Sequence, residues 1–207
     1  MEKISKTILI LTFPIVIFLL AADLTVFDQS WYEKKFEQHK IYDTLDAPQA
    51  TIDEQARNIL NYIQTKESLQ PLLLNEKEQI HLEDVKNLVT KGHQVLILLM
   101  LMHLVLWIKI KEKRKTLLYA GILTLILLGL LMVLPFEQVF LKFHKLVFTN
   151  DFWLLNPATD NLIKMYPQII FQTLAMKIGA ITVLVAFLAL TIGLYKQRGQ
   201  TKIWQKS

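Results

Sequence analysis

Residues 117–135 read LLYAGILTLILLGLLMVLP, without one charged side chain, directly after the cationic run Lys109-x-Lys111-x-Lys113-Arg114-Lys115. At about 1.5 Å per residue, a helix of that length nearly crosses a hydrocarbon core of about 30 Å. Three further blocks have the same character: residues 8–27, 92–110 and 174–195. The second of these has its apolar centre at Val95 to Ile108 and is extended through Gly92, His93 and Gln94. A chain of 207 residues that is 53% hydrophobic, with the excess collected in four blocks, is too apolar for one soluble domain. The expectation is an all-α fold: a four-helix transmembrane bundle in a single integral membrane domain over 1–207, with amphipathic or interfacial helices in two outer loops, 28–91 and 136–171. Lys3, Lys6 and the pair Ala21-Ala22 invite a signal-peptide reading of the first block. It is disfavoured, because cleavage after either alanine puts a leucine at the −3 position and the apolar run continues to Phe27.

Orientation follows from Lys and Arg near the membrane. Lys3 and Lys6, the 109–115 hairpin, and Lys196, Arg198, Lys202 and Lys206 mark one side, whereas the two loops hold every Asp and Glu except Glu2, Asp23 and Glu112. Both termini are therefore expected in the cytoplasm and both loops outside. The net charge of +5 calls for no nucleic-acid partner, since anionic lipid headgroups attract the basic residues where they stand. The absence of cysteine excludes a disulfide staple for the loops.

Within the first loop, Thr51-x-x-Glu54 has capping-box spacing, and Ile52, Ala56, Ile59, Leu60 and Ile63 recur with helical period before Pro71. Asn75-x-x-Glu78 is a second start, with Ile80, Val85, Leu88 and Val89 leading toward the second span. In the other loop, Phe136, Phe140, Phe143 and Val147 share one helical face, with Trp153, Tyr166 and Phe171 following. Such aromatic density suits the headgroup layer, and His144 lies on the Phe140 face four residues on.

No cysteine, no Gly-x-Ser-x-Gly elbow and only Ser5, Ser30, Ser68 and Ser207 are available, which disfavours a serine or cysteine hydrolase. What the loops offer instead is two histidines in polar surroundings: Glu78-x-x-His81-x-x-Asp84-x-Lys86, and His144 with Asn150, Asp151, Trp153, Asn156 and Asp160. Histidine is the natural proton shuttle near neutral pH. On a helix Glu78, His81 and Asp84 project to one side, so that Asp84 can orient the His81 ring. One Glu-x-x-His motif falls short of the paired motifs of carboxylate metal centres, so no metal or cofactor is expected. His39, His93, His103 and Asp23 are left outside the site. Four spans with Asp23, His103 and Lys177 as their only intramembrane charges supply no ion path, which disfavours transport.

Two stretches carry a resemblance: Glu78 with His81-Leu82-Glu83-Asp84-Val85-Lys86-Asn87-Leu88, and Phe143-His144-Lys145-Leu146-Val147-Phe148-Thr149-Asn150-Asp151-Phe152-Trp153 on through Asn156-Pro157, Asp160, Ile163 and Pro167 to Phe171. With the four-span architecture, they resemble the lipoprotein intramolecular transacylases (Lit) of bacterial cell membranes. The first outer helix, 52–63, matches in general pattern only, and Ile169-Ile170 stands where an aromatic residue is expected before Phe171. The resemblance implies transfer of the sn-2 acyl chain of a diacylglyceryl-cysteine lipoprotein onto that cysteine's α-amino group, with diacylated bacterial lipoproteins and membrane lipid as partners. Nucleophile and acyl donor then belong to one molecule, so the enzyme need not supply a covalent nucleophile. His81 and His144 become the catalytic pair; Asp84, Lys86, Asn150, Asp151 and Asp160 support them; Phe140, Trp153 and Tyr166 bind substrate. The competing readings are a non-catalytic membrane scaffold and an outer-face, metal-dependent lipid hydrolase.

Overall fold

The computed structural model describes residues 1–195; Lys196, Arg198, Lys202 and Lys206 lie outside the described residues. Among the described residues the chain is all-α, with no strand. Its helices are α1 (Glu2–Val26), α2 (Gln29–Gln38), α3 (Gln49–Gln64), α4 (Glu76–Lys109), α5 (Lys113–Met132), α6 (Phe136–Val147), α7 (Asn161–Met165) and α8 (Gln168–Leu194), with a 3₁₀ turn over Ile41–Thr44. α1, α4, α5 and α8 are long and apolar enough to cross a membrane. Nearly all of the apolar stretch of α4 is unburied, with Leu104 and Ile108 exposed. An apolar surface that large is tenable where lipid covers it.

Contacts gather into two compact units, residues 1–23, 94–134 and 176 onward, and residues 24–93 and 135–175. In the first, small residues set the helix spacing. A Cβ on Gly121 of α5 would sit 2.7 Å from the Ala186 carbonyl oxygen of α8, and one on Gly193 would sit 2.7 Å from Leu118 Cβ. The two backbones thus approach as closely as small-residue packing in membranes allows. Thr124 and Thr182, both buried, return their hydroxyls to carbonyls of their own helices, so these two polar groups are satisfied within the bundle. At one end Lys6 meets Glu112 at 2.6 Å, and Glu112 also pairs with Lys115.

The second unit has a core like that of a small soluble domain: Tyr32 and Phe36 of α2, Ile52, Ala56, Ile59 and Leu60 of α3, Leu82 of α4, and Met165, Tyr166 and Ile170 around the start of α8. Rings of Tyr32, Phe36 and Tyr166 meet edge-on at 5.5 to 6.4 Å. α3 buries the expected stripe but starts at Gln49, not at a Thr51 cap. Pro48, with φ −59, supplies the N-cap, and its carbonyl already accepts from the amides of Thr51 and Ile52. Asn75 and Glu78 do form a reciprocal cap: the Glu78 amide bonds Asn75 Oδ1 at 3.0 Å, and Glu78 Oε2 accepts the Asn75 amide at 2.7 Å. From there the outer helix and the second span are one continuous α4 of 34 residues.

Candidate active site

His81 lies on the second turn of α4, some three turns outside the apolar stretch of that helix, and is 8% exposed. His144 is in the last turn of α6. Far apart in sequence, the two rings stand 6.4 Å apart between centroids and tilted by 35°. The extended backbone at Phe148, where α6 stops, turns that ring back against both, 5.1 Å from His81 and 5.6 Å from His144. Phe140 at 4.2 Å, Trp153 at 5.2 Å and Phe143 at 5.6 Å complete an aromatic cage around His144.

The cage decides protonation. Burial holds His81 down to about 4, the neighbouring His144 adds to the shift, and Asp84 opposes it. His144 is also lowered by burial, against a hydrogen bond to the Phe140 carbonyl. Both imidazoles are therefore neutral at pH 7. A carbonyl can only accept, so the 2.7 Å contact fixes the His144 proton on Nδ1 and leaves Nε2 with a lone pair. His81 Nδ1 is buried and has no hydrogen-bond partner among the described residues. A buried orphan donor is the costlier alternative, which favours the His81 tautomer with its proton on Nε2. The pair offers one acceptor and one donor nitrogen.

The remaining sequence-expected residues divide. Phe140 and Trp153 flank His144. Asp84 accepts from Asn150 Nδ2 at 2.8 Å rather than from the His81 ring, while Asn150 Oδ1 accepts the Phe152 amide at 3.1 Å. Asn150 thus ties the loop after α6 to the turn of α4 that follows His81. Asp151 lines a cleft next to Phe148 and Trp153. Lys86 is drawn elsewhere, its Nζ 4.0 Å over the Tyr62 ring of α3. Asp160, buried, accepts from the Asn156 amide, Thr159 Oγ1 and Asn75 Nδ2, with Lys77 at 3.9 Å, and the Asn156 amide leads in holding its carboxyl below the usual range. Tyr166 belongs to the core and meets Phe171, whose ring is tilted against Phe140 at 5.2 Å.

Phe148 and Glu78 matter more than their sequence context suggests. Glu78 is 1% exposed and accepts the amides of both Asn75 and Leu162, joining the first turn of α4 to the start of α7. The capping spacing was the available signal for Glu78; nothing in the pattern singles out Phe148 among its phenylalanine neighbours. Among the described residues no group of three or more His, Asp and Glu side chains is placed to share a metal ion.

No curated protein matches the chain. Its structure is similar to that of the membrane-integral lipoprotein intramolecular transacylase Lit from Bacillus cereus, with a TM-score of 0.86 and 25% identity over 97% of this chain and 98% of that one. Structures of that protein bearing a histidine-to-arginine or a histidine-to-alanine substitution match at 0.81 and 0.82, with 26% identity over 97% of this chain and 94% and 96% of theirs. Residues 7–171 match the family described as lipoprotein intramolecular transacylase Lit. The chain belongs to that family and is a membrane-integral acyltransferase that acts on lipoproteins.

Proposed function

We propose that the enzyme moves the sn-2 acyl chain of a diacylglyceryl-cysteine lipoprotein to the α-amino group of the same cysteine, using His144 as base and His81 as hydrogen-bond donor. The complementary tautomers of the two histidines carry this reading. The amine nitrogen attacks the ester carbonyl, and an N–C bond forms as the carbonyl oxygen becomes an oxyanion. The attacking nitrogen turns strongly acidic only as that bond forms, so a base of lowered pKa such as His144 Nε2 suffices to take its proton. His81 Nε2–H faces the oxyanion, a contact worth about 3 to 4 kcal/mol in a desolvated site. The C–O bond to glycerol then breaks, and the imidazolium of His144, made more acidic by burial in its apolar cage, returns the proton to the departing glyceryl oxygen. The products are an amide on the cysteine and a free sn-2 hydroxyl, the N-acyl lyso-form lipoprotein.

No covalent acyl-enzyme is needed, which agrees with the lack of cysteine in the sequence. Asp84 and Asn150 act as positioning residues that hold the loop to α4. Phe140 and Trp153 provide apolar surface for the lipid part of the substrate. Lys3, Lys6 and the 109–115 cations support cytoplasmic termini, and the acidic content of the loops supports an active site at the outer face.

The test is expression in a bacterium lacking lipoprotein N-acyltransferase, with fragmentation mass spectrometry of a reporter lipoprotein. The expected product carries one acyl group on nitrogen and one on glycerol, and His144→Ala lowers its formation by at least a hundredfold. A reporter left as the diacylglyceryl form beside folded enzyme refutes the reaction. Product undiminished in His144→Ala removes that residue as the base.

A further inference from the structure

Beside the histidine pair opens a cleft of about 390 Å³, within the range of binding sites for small ligands. Leu141, Phe148, Trp153 and Leu154 form the apolar part of its wall, with Phe148 and Trp153 touching the histidines; Lys145, Thr149, Asn150 and Asp151 form the polar part. Asn150 is committed to Asp84. The Lys145 and Asp151 side chains are exposed, and neither takes an ion pair or hydrogen bond within the described residues. The cleft therefore presents one cation and one anion with no internal partner, next to the proposed reacting centre.

An acyl chain can cover the apolar part of this wall but offers nothing to Lys145 and Asp151. A polypeptide brings its own amides and side chains to such a surface. Substrate chemistry adds a constraint: the lipidated cysteine is the first residue of its chain, so everything after it departs from that cysteine's carboxyl. With the α-amine at His144 Nε2, the Phe148 and Trp153 rings, 5.6 and 5.2 Å from the imidazole, bring the cleft within reach of the next residues. We propose that the cleft receives the polypeptide immediately after the lipidated cysteine, and that Lys145 and Asp151 select among lipoproteins by the charge of those residues. This rests on the transacylase reading above.

The experiment uses the full-length enzyme in the same bacterium with three reporter lipoproteins differing only in a short run after the cysteine: aspartates, lysines or serines. For each, the fraction of the diacylglyceryl form converted to the N-acyl form is followed in time. Lys145→Glu is expected to lower the acidic-to-basic conversion ratio roughly fivefold, and Asp151→Lys to raise it by a similar factor, the scale of an exposed charge contact. Lys145→Gln and Asp151→Asn move the ratio in the same directions by about twofold. General damage lowers all reporters together and leaves the ratio in place. Ratios within experimental error of wild type in all four variants overturn the subsite while leaving the reaction standing. A wild-type enzyme that converts no reporter overturns the reaction, and the subsite with it.

Discussion

Replacing His81 by glutamine is expected to make the protein less sensitive to acid. The ordinary imidazole value is 6.5, and in the folded protein burial first, then His144, hold His81 at about 4. The unfolded chain therefore takes up this proton before the folded one does. The contribution is fully present above about pH 6.5 and is lost as pH falls toward 4. At 1.36 kcal/mol per pH unit, the whole window is worth about 3 kcal/mol, of which about 2.5 kcal/mol is gone by pH 4.5. Asp160 and the other acid-sensitive groups are common to both proteins, so the difference between wild type and His81→Gln isolates this one residue. The assay is equilibrium unfolding of the micelle-solubilised protein at pH 7 and pH 4.5. Wild type should lose about 2.5 kcal/mol more than the variant over that step. Equal losses would refute the claim that His81 is held neutral by its surroundings, and with it the assignment of a neutral donor.

Asn150→Ala, which cuts the bond to Asp84, should lower turnover about tenfold with little change in Tm; Asn150→Asp should fall further, because it sets a second carboxylate against Asp84, as product formation in membranes will show. Glu78→Gln leaves one of two buried amide acceptors unable to do its work and should destabilise the protein by about 1 to 3 kcal/mol in thermal unfolding, without altering reporter preference. Gly121→Val forces a side chain against the Ala186 carbonyl and should cost about 1 to 3 kcal/mol in the same measurement, whereas the same change at Gly129, with open space around it, should be near neutral.

The four apolar blocks are legible because a bilayer demands a length and a composition that few other environments tolerate. Two histidines are legible because each stands in a polar cluster of an otherwise apolar chain; the structure brings their rings together. Their tautomers are not, since these depend on the Phe140 carbonyl and on burial of one nitrogen, neither of which the spacing encodes. α2 escaped the periodicity reading because its ten residues bury only Tyr32 and Phe36 among charges. Lys86 was drawn toward the site by its place in the polar cluster two residues after Asp84, yet helix α3 offers it the Tyr62 face. The α3 start was misplaced by one turn because a proline cap needs no polar side chain and leaves no capping signature.

α6 has twelve residues and buries none of them, with Leu146 85% exposed. A helix that short is marginal in water and must borrow its order from what surrounds it. His144 is hydrogen-bonded within that same helix, so its Nδ1 proton stays in place only while the last turn is wound. Assembly of the proposed base is thereby made conditional on what covers α6. Enzyme extracted into a poor lipid mimic should go dormant without unfolding, and it should recover when phospholipid is restored.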